Sequence, residues 1–161
     1  MAIELQRHQI EQIQQDGKQT YPNECCGVLL GKEQEGRKVV LEILPLQNAR
    51  DDSPRNRFLI LPEDLLHSDR EARRRGMDIV GFYHSHPDHP ARPSEYDREH
   101  AWPWYTYIIL AVGNGLPGEM TAWLLSDDRG SFFPEEMRIA DRRSEKEAAS
   151  TPNSESTGSS T

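Results

Sequence analysis

The feature that most constrains the fold is the segment MDIVGFYH, residues 77–84, which runs directly into Ser85 and His86. The segment is apolar almost throughout, and this pattern is typical of a β-strand covered on both faces. Such a strand lies inside a sheet with helices on its two sides. The segment therefore indicates a layered α/β fold, in which two histidines follow the end of a buried strand.

The flanking segments predict further strands. CCGVLLG is a short apolar run bounded by glycine, and RKVVLEILPL is a second strand that pairs with it as a hairpin across the polar turn KEQEG. YTYIILAV and EMTAWLLS are two more strands joined by a Gly/Pro turn, and SFFPEEMRIA is a last extended segment. Adjacent strands at both ends and alternating elements in the middle favour a mixed central β-sheet.

Helical patterns account for most of the remaining chain. IELQRHQIEQIQQDGKQ spaces apolar residues at near-helical intervals and predicts an amphipathic helix that ends near Gly17. FLILPEDLLHSDREARRRG predicts a brief strand followed by a helix, PSEYDREHAW a short helix, and QNARDDSPRNR a polar loop. These helices would lie on the faces of the sheet and give a three-layer arrangement.

Length and composition divide the chain at residue 140. The 161 residues suit one domain. The final segment, SEKEAASTPNSESTGSST, has no aromatic and no branched aliphatic residue, so burial of apolar surface cannot offset the entropy lost on ordering it. We therefore expect a domain over residues 1–140 and a disordered polar tail over residues 141–161.

Charge and cysteine content limit the classes of partner. The formal net charge is −8, and the only basic cluster, REARRRG, reads as the end of a helix, so nucleic acid is not an expected partner. The two cysteines are adjacent, which fits a reducing cytoplasm better than a disulfide framework. No apolar run approaches the roughly 20 residues of a membrane helix. We expect a soluble cytoplasmic protein without a membrane partner.

The two histidines can share a metal ion. Residues two apart in a strand point to the same side, so the imidazoles of His84 and His86 would converge while Ser85 points away. Asp97 adds a carboxylate oxygen, and two histidines with one carboxylate and an open fourth position are the ligand set of a catalytic zinc ion. A His-x-His pair in a loop is weak evidence by itself, because short motifs often occur without metal.

Two further residues have alternative readings. Ser94 and Asp97 also form a helix-capping pair, and the two roles can coexist, since a capped first turn would hold Asp97 rigidly. Glu24, just before a predicted buried strand, is a candidate general base, although an exposed acid at a strand start is the usual reading. The predictions of a zinc site and of a general base therefore depend on each other, because neither follows from one residue alone.

Taken together, these residues resemble the signature of the JAMM (MPN+) zinc metalloproteases. Glu24 is followed downstream by His-Ser-His, seven residues, Ser, two residues and Asp. The flanks YPNECCGVLLG, DIVGFYHSHP and ARPSEYD are similar to those of short bacterial members of the family, and the resemblance covers roughly residues 1 to 135.

The resemblance implies a role for each of these residues. His84, His86 and Asp97 would bind one Zn²⁺ ion, Glu24 would serve as general base and then acid, and Ser94 would donate to the oxyanion. The implied fold is a three-layer α/β arrangement of the cytidine-deaminase-like type. The implied partner is a ubiquitin-like, β-grasp sulfur-carrier protein of the ThiS or MoaD type, cleaved after its C-terminal Gly-Gly.

Two other functions stay open within the same fold, a deconjugating isopeptidase for a ubiquitin-like modifier and a non-catalytic MPN-type scaffold. A zinc deaminase is excluded, because it would need His-x-Glu and Pro-Cys-x-x-Cys. Four other residues could contribute to a site, but a surface or packing role is expected for each. His89 and His100 read as surface residues that could assist the site, and Cys25 and Cys26 read as buried small residues rather than nucleophiles.

Overall fold

Eight strands form one mixed sheet in the computed structural model, which describes residues 1–47 and 62–140. The strands are β1 (Ala2–Gln6), β2 (Cys26–Gln34), β3 (Arg37–Leu46), β4 (Asp78–Pro87), β5 (Thr106–Gly113), β6 (Leu116–Leu125), β7 (Phe132–Pro134) and β8 (Glu136–Ala140). The helices of the described residues are α1 (Arg7–Thr20), α2 (Pro62–Arg74) and α3 (Glu95–His100).

The strand order is β7-β6-β5-β4-β2-β3-β1-β8. Strand β4 lies between β2, with which it is antiparallel, and β5, with which it is parallel. Its residues from Ile79 to Pro87 are all buried, so the prediction of an interior strand covered on both faces is confirmed. The predicted β2–β3 hairpin is also present, with Cys26 opposite Leu46 and Gln34 opposite Arg37.

Two apolar clusters, one on each face of the sheet, divide the core. On one face, Ile13 of α1 packs in a cluster with Tyr83 and Leu110 of the sheet. On the other, Ala72 of α2 belongs to a cluster with Val28 and Phe82. The expected mixed sheet with helices on both faces is therefore confirmed, and the order of layers is α1, sheet, α2.

The predicted N-terminal helix was wrong at both ends. Residues Ala2–Gln6 form strand β1, which pairs in parallel with β3 and with β8. Ile3 and Leu5 fit this strand because they alternate and are fully buried, and the pairing partners are far away in sequence. The helix also continues past Gly17, where a Cβ atom would lie 2.7 Å from a methyl group of Leu110, so this glycine permits close packing and does not end the helix.

Three expectations lie outside the described residues, namely the brief FLIL strand, most of the polar loop QNARDDSPRNR and the tail after Ala140. Within residues 1–47 and 62–140, no helix has the length and apolar character needed to cross a bilayer.

Candidate metal centre

Strand β4 brings the two histidines together. His84 lies opposite Cys26 of β2 and Ile109 of β5, so its position is fixed on both sides by the sheet. The Nε2 atoms of His84 and His86 are 3.2 Å apart, and the side chains are 1% and 7% exposed. The convergence that the two-residue spacing predicts is therefore present at the end of a buried strand.

Asp97 reaches both imidazoles from helix α3. One carboxylate oxygen lies 3.2 Å from Nε2 of His84, and the other lies 3.2 Å from Nε2 of His86. The predicted capping box is also present, since the Ser94 hydroxyl accepts from the Asp97 amide at 3.1 Å and the Ser94 amide donates to the Asp97 carboxylate at 2.8 Å. The cap holds Asp97 in the first turn, directed towards the histidines, so both readings of Ser94-x-x-Asp97 are compatible.

These three side chains fit a zinc ion. Tetrahedral Zn²⁺ with N and O ligands at 2.0–2.2 Å requires donor atoms about 3.3 Å from each other. The two histidine Nε2 atoms are 3.2 Å apart, which matches this requirement, and each lies 3.2 Å from a different oxygen of the Asp97 carboxylate. Two imidazoles and one carboxylate also leave one tetrahedral position for a reacting group. The set therefore has the geometry and chemistry of an open zinc site.

The hydrogen bonds around the cluster prepare its ligand atoms. Nδ1 of His86 lies 2.8 Å from the carbonyl oxygen of Pro90, which can only accept, so Nδ1 carries the proton and Nε2 of the neutral ring presents its lone pair. Burial favours the neutral form of Asp97. The attraction of the adjacent imidazoles, that of His84 first, and the hydrogen bond from the Ser94 amide outweigh burial and hold the pKa of the carboxyl well below its usual range. Asp97 is therefore an anion ready to bind a cation.

Glu24 lies at the edge of this cluster. It is 2% exposed, so the reading of an exposed acid at a strand start is wrong. One of its carboxylate oxygens and one ring nitrogen each of His84 and His86 lie within 4.8 Å of one another. The Asp97 carboxylate lies 3.2 Å from His84, and Glu24 adds a second buried carboxylate near the same two imidazoles.

The sequence interpretation gave no role to Ser85, which points to the opposite face from the histidines. It is fully buried, and its hydroxyl accepts a hydrogen bond from the Cys25 amide at 2.8 Å. The signal that could have found it is a polar side chain inside an otherwise apolar run, because buried hydroxyl groups need a partner.

The remaining candidate residues are outside the cluster. Cys25 and Cys26 are buried free thiols, as expected, and burial raises the pKa of Cys26 to about 12, so neither suits a thiolate nucleophile. His89 is exposed, and exposed His100 stacks on Tyr96 with ring centroids 4.0 Å apart.

An apolar groove lies on the same side of the sheet as the cluster. Its wall includes Phe82, which precedes His84 by two residues on β4, and the exposed side chains of Leu65, Leu66 and Trp102. Trp102 is 62% exposed, and the guanidinium of Arg129 lies 4.9 Å from its ring centre. The groove runs between α2 and the segment after α3, so it offers an apolar surface beside the cluster.

The chain is similar to several known proteins. A family model described as prokaryotic homologs of the JAB domain matches residues 6–126. A desampylase from Haloferax volcanii is 38% identical over 102 residues, which are 63% of this chain and 68% of that protein. A probable TtuB-protein conjugate cleaving protease from Thermus thermophilus is 36% identical over 77 residues, which are 48% of this chain and 51% of that protein.

Among known structures, the solution structure of protein DSY2949 from Desulfitobacterium hafniense has a similar fold. The TM-score is 0.76 at 31% sequence identity, and the alignment covers 87% of this chain and 94% of that one. The family match over residues 6–126 includes the positions of Glu24, His84, His86, Ser94 and Asp97.

Proposed function

The chain belongs to the family of prokaryotic homologs of the JAB domain and is a hydrolase of the JAMM/MPN type, and on this basis we propose that it is a zinc-dependent isopeptidase. Its proposed substrate is a ubiquitin-like protein, cleaved at the bond that follows the C-terminal Gly-Gly. The family and fold that the sequence resembles are thereby confirmed. Zinc, substrate and the roles of single residues are the proposal.

One observation carries the zinc dependence, namely the spacing of 3.2 Å between the ligand atoms of His84, His86 and Asp97. These three residues would hold the ion. A zinc ion in this place would polarise the scissile carbonyl and lower the pKa of an attacking water molecule. The ligand set also explains why a buried carboxylate is kept ionised beside two imidazoles.

In the proposed reaction, Glu24 transfers the proton and Ser94 stabilises the negative charge that develops on the oxyanion. Glu24 takes a proton from the attacking water, whose oxygen adds to the carbonyl carbon of the substrate. The C–N bond then breaks, and Glu24 returns the proton to the leaving amine. The hydroxyl of Ser94 accepts from the Asp97 amide and so keeps its hydrogen for donation to the oxyanion, and Ser94 is exposed where substrate can reach it.

The substrate class rests on the relatives. One is named a desampylase and another a TtuB-protein conjugate cleaving protease, and the second name describes cleavage of a protein conjugate. This favours the deconjugating isopeptidase over trimming of a free sulfur-carrier tail of the ThiS or MoaD type, although both reactions cleave after the same Gly-Gly. The non-catalytic scaffold lacks support, since all five site residues are present in the sequence.

The experiment uses two substrates built on one β-grasp carrier protein. The first has a short peptide extension after Gly-Gly, and the second has the Gly-Gly carboxyl joined to a lysine side chain. Purified protein with its metal content measured is incubated with each, and products are followed by intact mass. We expect about one zinc per chain and cleavage after Gly-Gly that stops with a chelator and returns with Zn²⁺. Zinc-loaded protein that cleaves neither substrate would refute the proposal.

A further inference from the structure

We propose that Ser85 is a positioning residue for Glu24. Its hydroxyl group fixes the main chain next to Glu24 against the strand that carries His84 and His86. The inference rests on the proposed function, because Glu24 needs a defined place only if it acts on the reactants. Ser85 itself touches neither the ligand cluster nor a substrate.

The contact is made at both polar atoms of the Cys25 main chain. The Cys25 amide donates to the hydroxyl oxygen of Ser85 at 2.8 Å, and the Cys25 carbonyl accepts from the Ser85 amide at 3.1 Å. Cys25 directly follows Glu24, so one residue of β4 holds the chain at the point where Glu24 leaves the sheet.

The hydroxyl of Ser85 takes the place of the backbone carbonyl that would accept this hydrogen bond in a regular antiparallel ladder. The last pair of the β2–β4 ladder is Cys26 with His84, so the next opposed pair would be Cys25 with Ser85. In a hydrogen-bonded antiparallel pair, two residues exchange both N–H to C=O bonds. Here one of these bonds goes to the serine hydroxyl instead of the serine carbonyl. The end of the ladder therefore depends on a side chain.

The location of Ser85 separates its effect from that of the metal ligands. It is fully buried on the α1 face, where its Cβ lies 3.8 Å from the position that a Cβ on Gly17 would occupy. His84 and His86 point to the opposite face, as alternation in a strand requires. Loss of the hydroxyl group would release the chain beside Glu24 and leave the three ligand atoms where they are.

The expected effect follows from the demands of catalysis. A displacement of about 1 Å at a reacting group can lower a rate by about 10²-fold. Ser85→Ala should therefore lower kcat by about 10- to 10²-fold, with KM and zinc content close to those of the wild type. The matched control is Ser68→Ala, since Ser68 is also fully buried and makes one hydrogen bond of 2.8 Å, to the Asp64 carbonyl within α2.

A double-mutant cycle tests whether Ser85 acts through Glu24. Ser85→Ala is made in the wild type and in Glu24→Gln, and single-turnover rates are measured with enzyme in excess over the carrier–lysine conjugate. We expect the rate loss in the wild type and almost none in Glu24→Gln, because the group being positioned is already disabled. The same loss in both backgrounds, an unchanged kcat, or loss of zinc would each overturn the proposal.

A second measurement does not depend on activity. In zinc-loaded protein, exchange of the Cys25 amide hydrogen should be on the order of tenfold faster in Ser85→Ala, while the other amides of β2 keep their wild-type rates. An unchanged Cys25 rate refutes the tether even if the enzyme cleaves neither substrate, an outcome that would separately refute the proposed function. If Ser85→Ala does not fold, Ser85→Cys keeps the volume, replaces the oxygen by a weak acceptor, and takes its place in both measurements.

Discussion

Two buried polar clusters in this molecule differ in whether they contain their own cation. The metal-centre cluster consists of His84, His86 and Asp97, and it directs two ring nitrogens and a carboxylate at one point. The lysine cluster consists of Lys38, Thr106 and Glu135, which are all buried as well. Both interrupt an apolar core, but they do so for different reasons.

The lysine cluster neutralises itself. The ammonium group of Lys38 donates to the Trp104 carbonyl and, at 3.0 Å, to the Thr106 hydroxyl, and that hydroxyl donates to Glu135. Lys38 also lies 4.7 Å from the ring centre of Trp104. A buried cation with a carboxylate and hydrogen-bond partners within reach needs no ligand from outside, so this cluster ties strands to the segment before β5.

The contrast indicates what a buried polar cluster is for. A cluster that includes both charges is complete and contributes to the fold. A cluster that gathers acceptor atoms around an anion lacks a compensating positive charge, which the proposed metal ion would supply. Substitutions in each cluster test this distinction.

The largest effect is expected for His84→Ala/His86→Ala. Removal of two of three ligands should abolish zinc binding, and activity should fall by at least about 10³-fold, since metal catalysis contributes several kcal/mol. Metal analysis and the cleavage assay measure both. The control His89→Ala/His100→Ala changes two exposed histidines near the site and should keep zinc and activity. Full zinc content in the first variant would contradict the assigned ligands.

Glu24→Gln should keep zinc and lower kcat by about 10²- to 10⁴-fold, because an amide cannot accept and return the proton. KM should change little, since the loss lies in the transition state. Glu135→Gln is the matched control, as it neutralises a buried carboxylate of the lysine cluster. Cleavage by Glu24→Gln at the wild-type rate would refute the mechanism, and loss of its zinc would make Glu24 a ligand or support.

Lys38→Met should affect stability rather than chemistry. Removal of one partner leaves a buried carboxylate without its cation, and we expect the free energy of unfolding to fall by about 3 kcal/mol in urea titrations at neutral pH. Zinc content and activity of the folded protein should stay near those of the wild type. Lys32→Met, which changes an exposed lysine on the neighbouring strand, is the control. An equal effect of both variants would remove the distinction between the clusters.

Lys38 also makes the stability difference between the wild type and Lys38→Met depend on pH. Burial lowers the pKa of Lys38 to about 8, against the opposing effect of Glu135 and Glu33, while the ordinary value is 10.5. Between these values the unfolded chain binds more protons than the folded one, so Lys38 makes the folded state more stable as pH rises through this range. The stability difference between wild type and Lys38→Met should therefore grow from pH 8 to 10.5.

The smallest effect is expected for truncation after Ser144. We propose that residues 1–140 form the domain and that the polar tail adds nothing to it, because both clusters are built from residues before Ala140. Melting temperature and activity of the shortened protein should equal those of the full chain. A clear drop in either would show that the tail packs on the domain.

The metal-centre cluster could be predicted from sequence because the patterns that position its side chains are local in sequence. The alternation of a strand places His84 and His86 on one side, and the capping pattern orients Asp97 in its helix. Only the place of Glu24, which precedes another strand, needed the family resemblance in addition.

The lysine cluster could not be predicted in this way. Lys38 follows Arg37 at the start of β3 and reads as an exposed strand end, and Glu135 falls between two short strands. Their burial depends on how distant parts of the sheet meet. The same applies to β1, whose five residues are a strand only because β3 and β8 provide partners on both sides.

The groove beside the metal-centre cluster contains a tryptophan whose fluorescence depends on whether the groove is covered. Trp102 lines it and is 62% exposed, whereas Trp123 is partly buried and donates its indole N–H to Thr121 at 2.8 Å. Emission from an exposed indole shifts to shorter wavelength when water around it is replaced by apolar surface. Binding of a protein to this groove would therefore shift the fluorescence emission of Trp102 to shorter wavelength, and no attached dye would be needed to follow it.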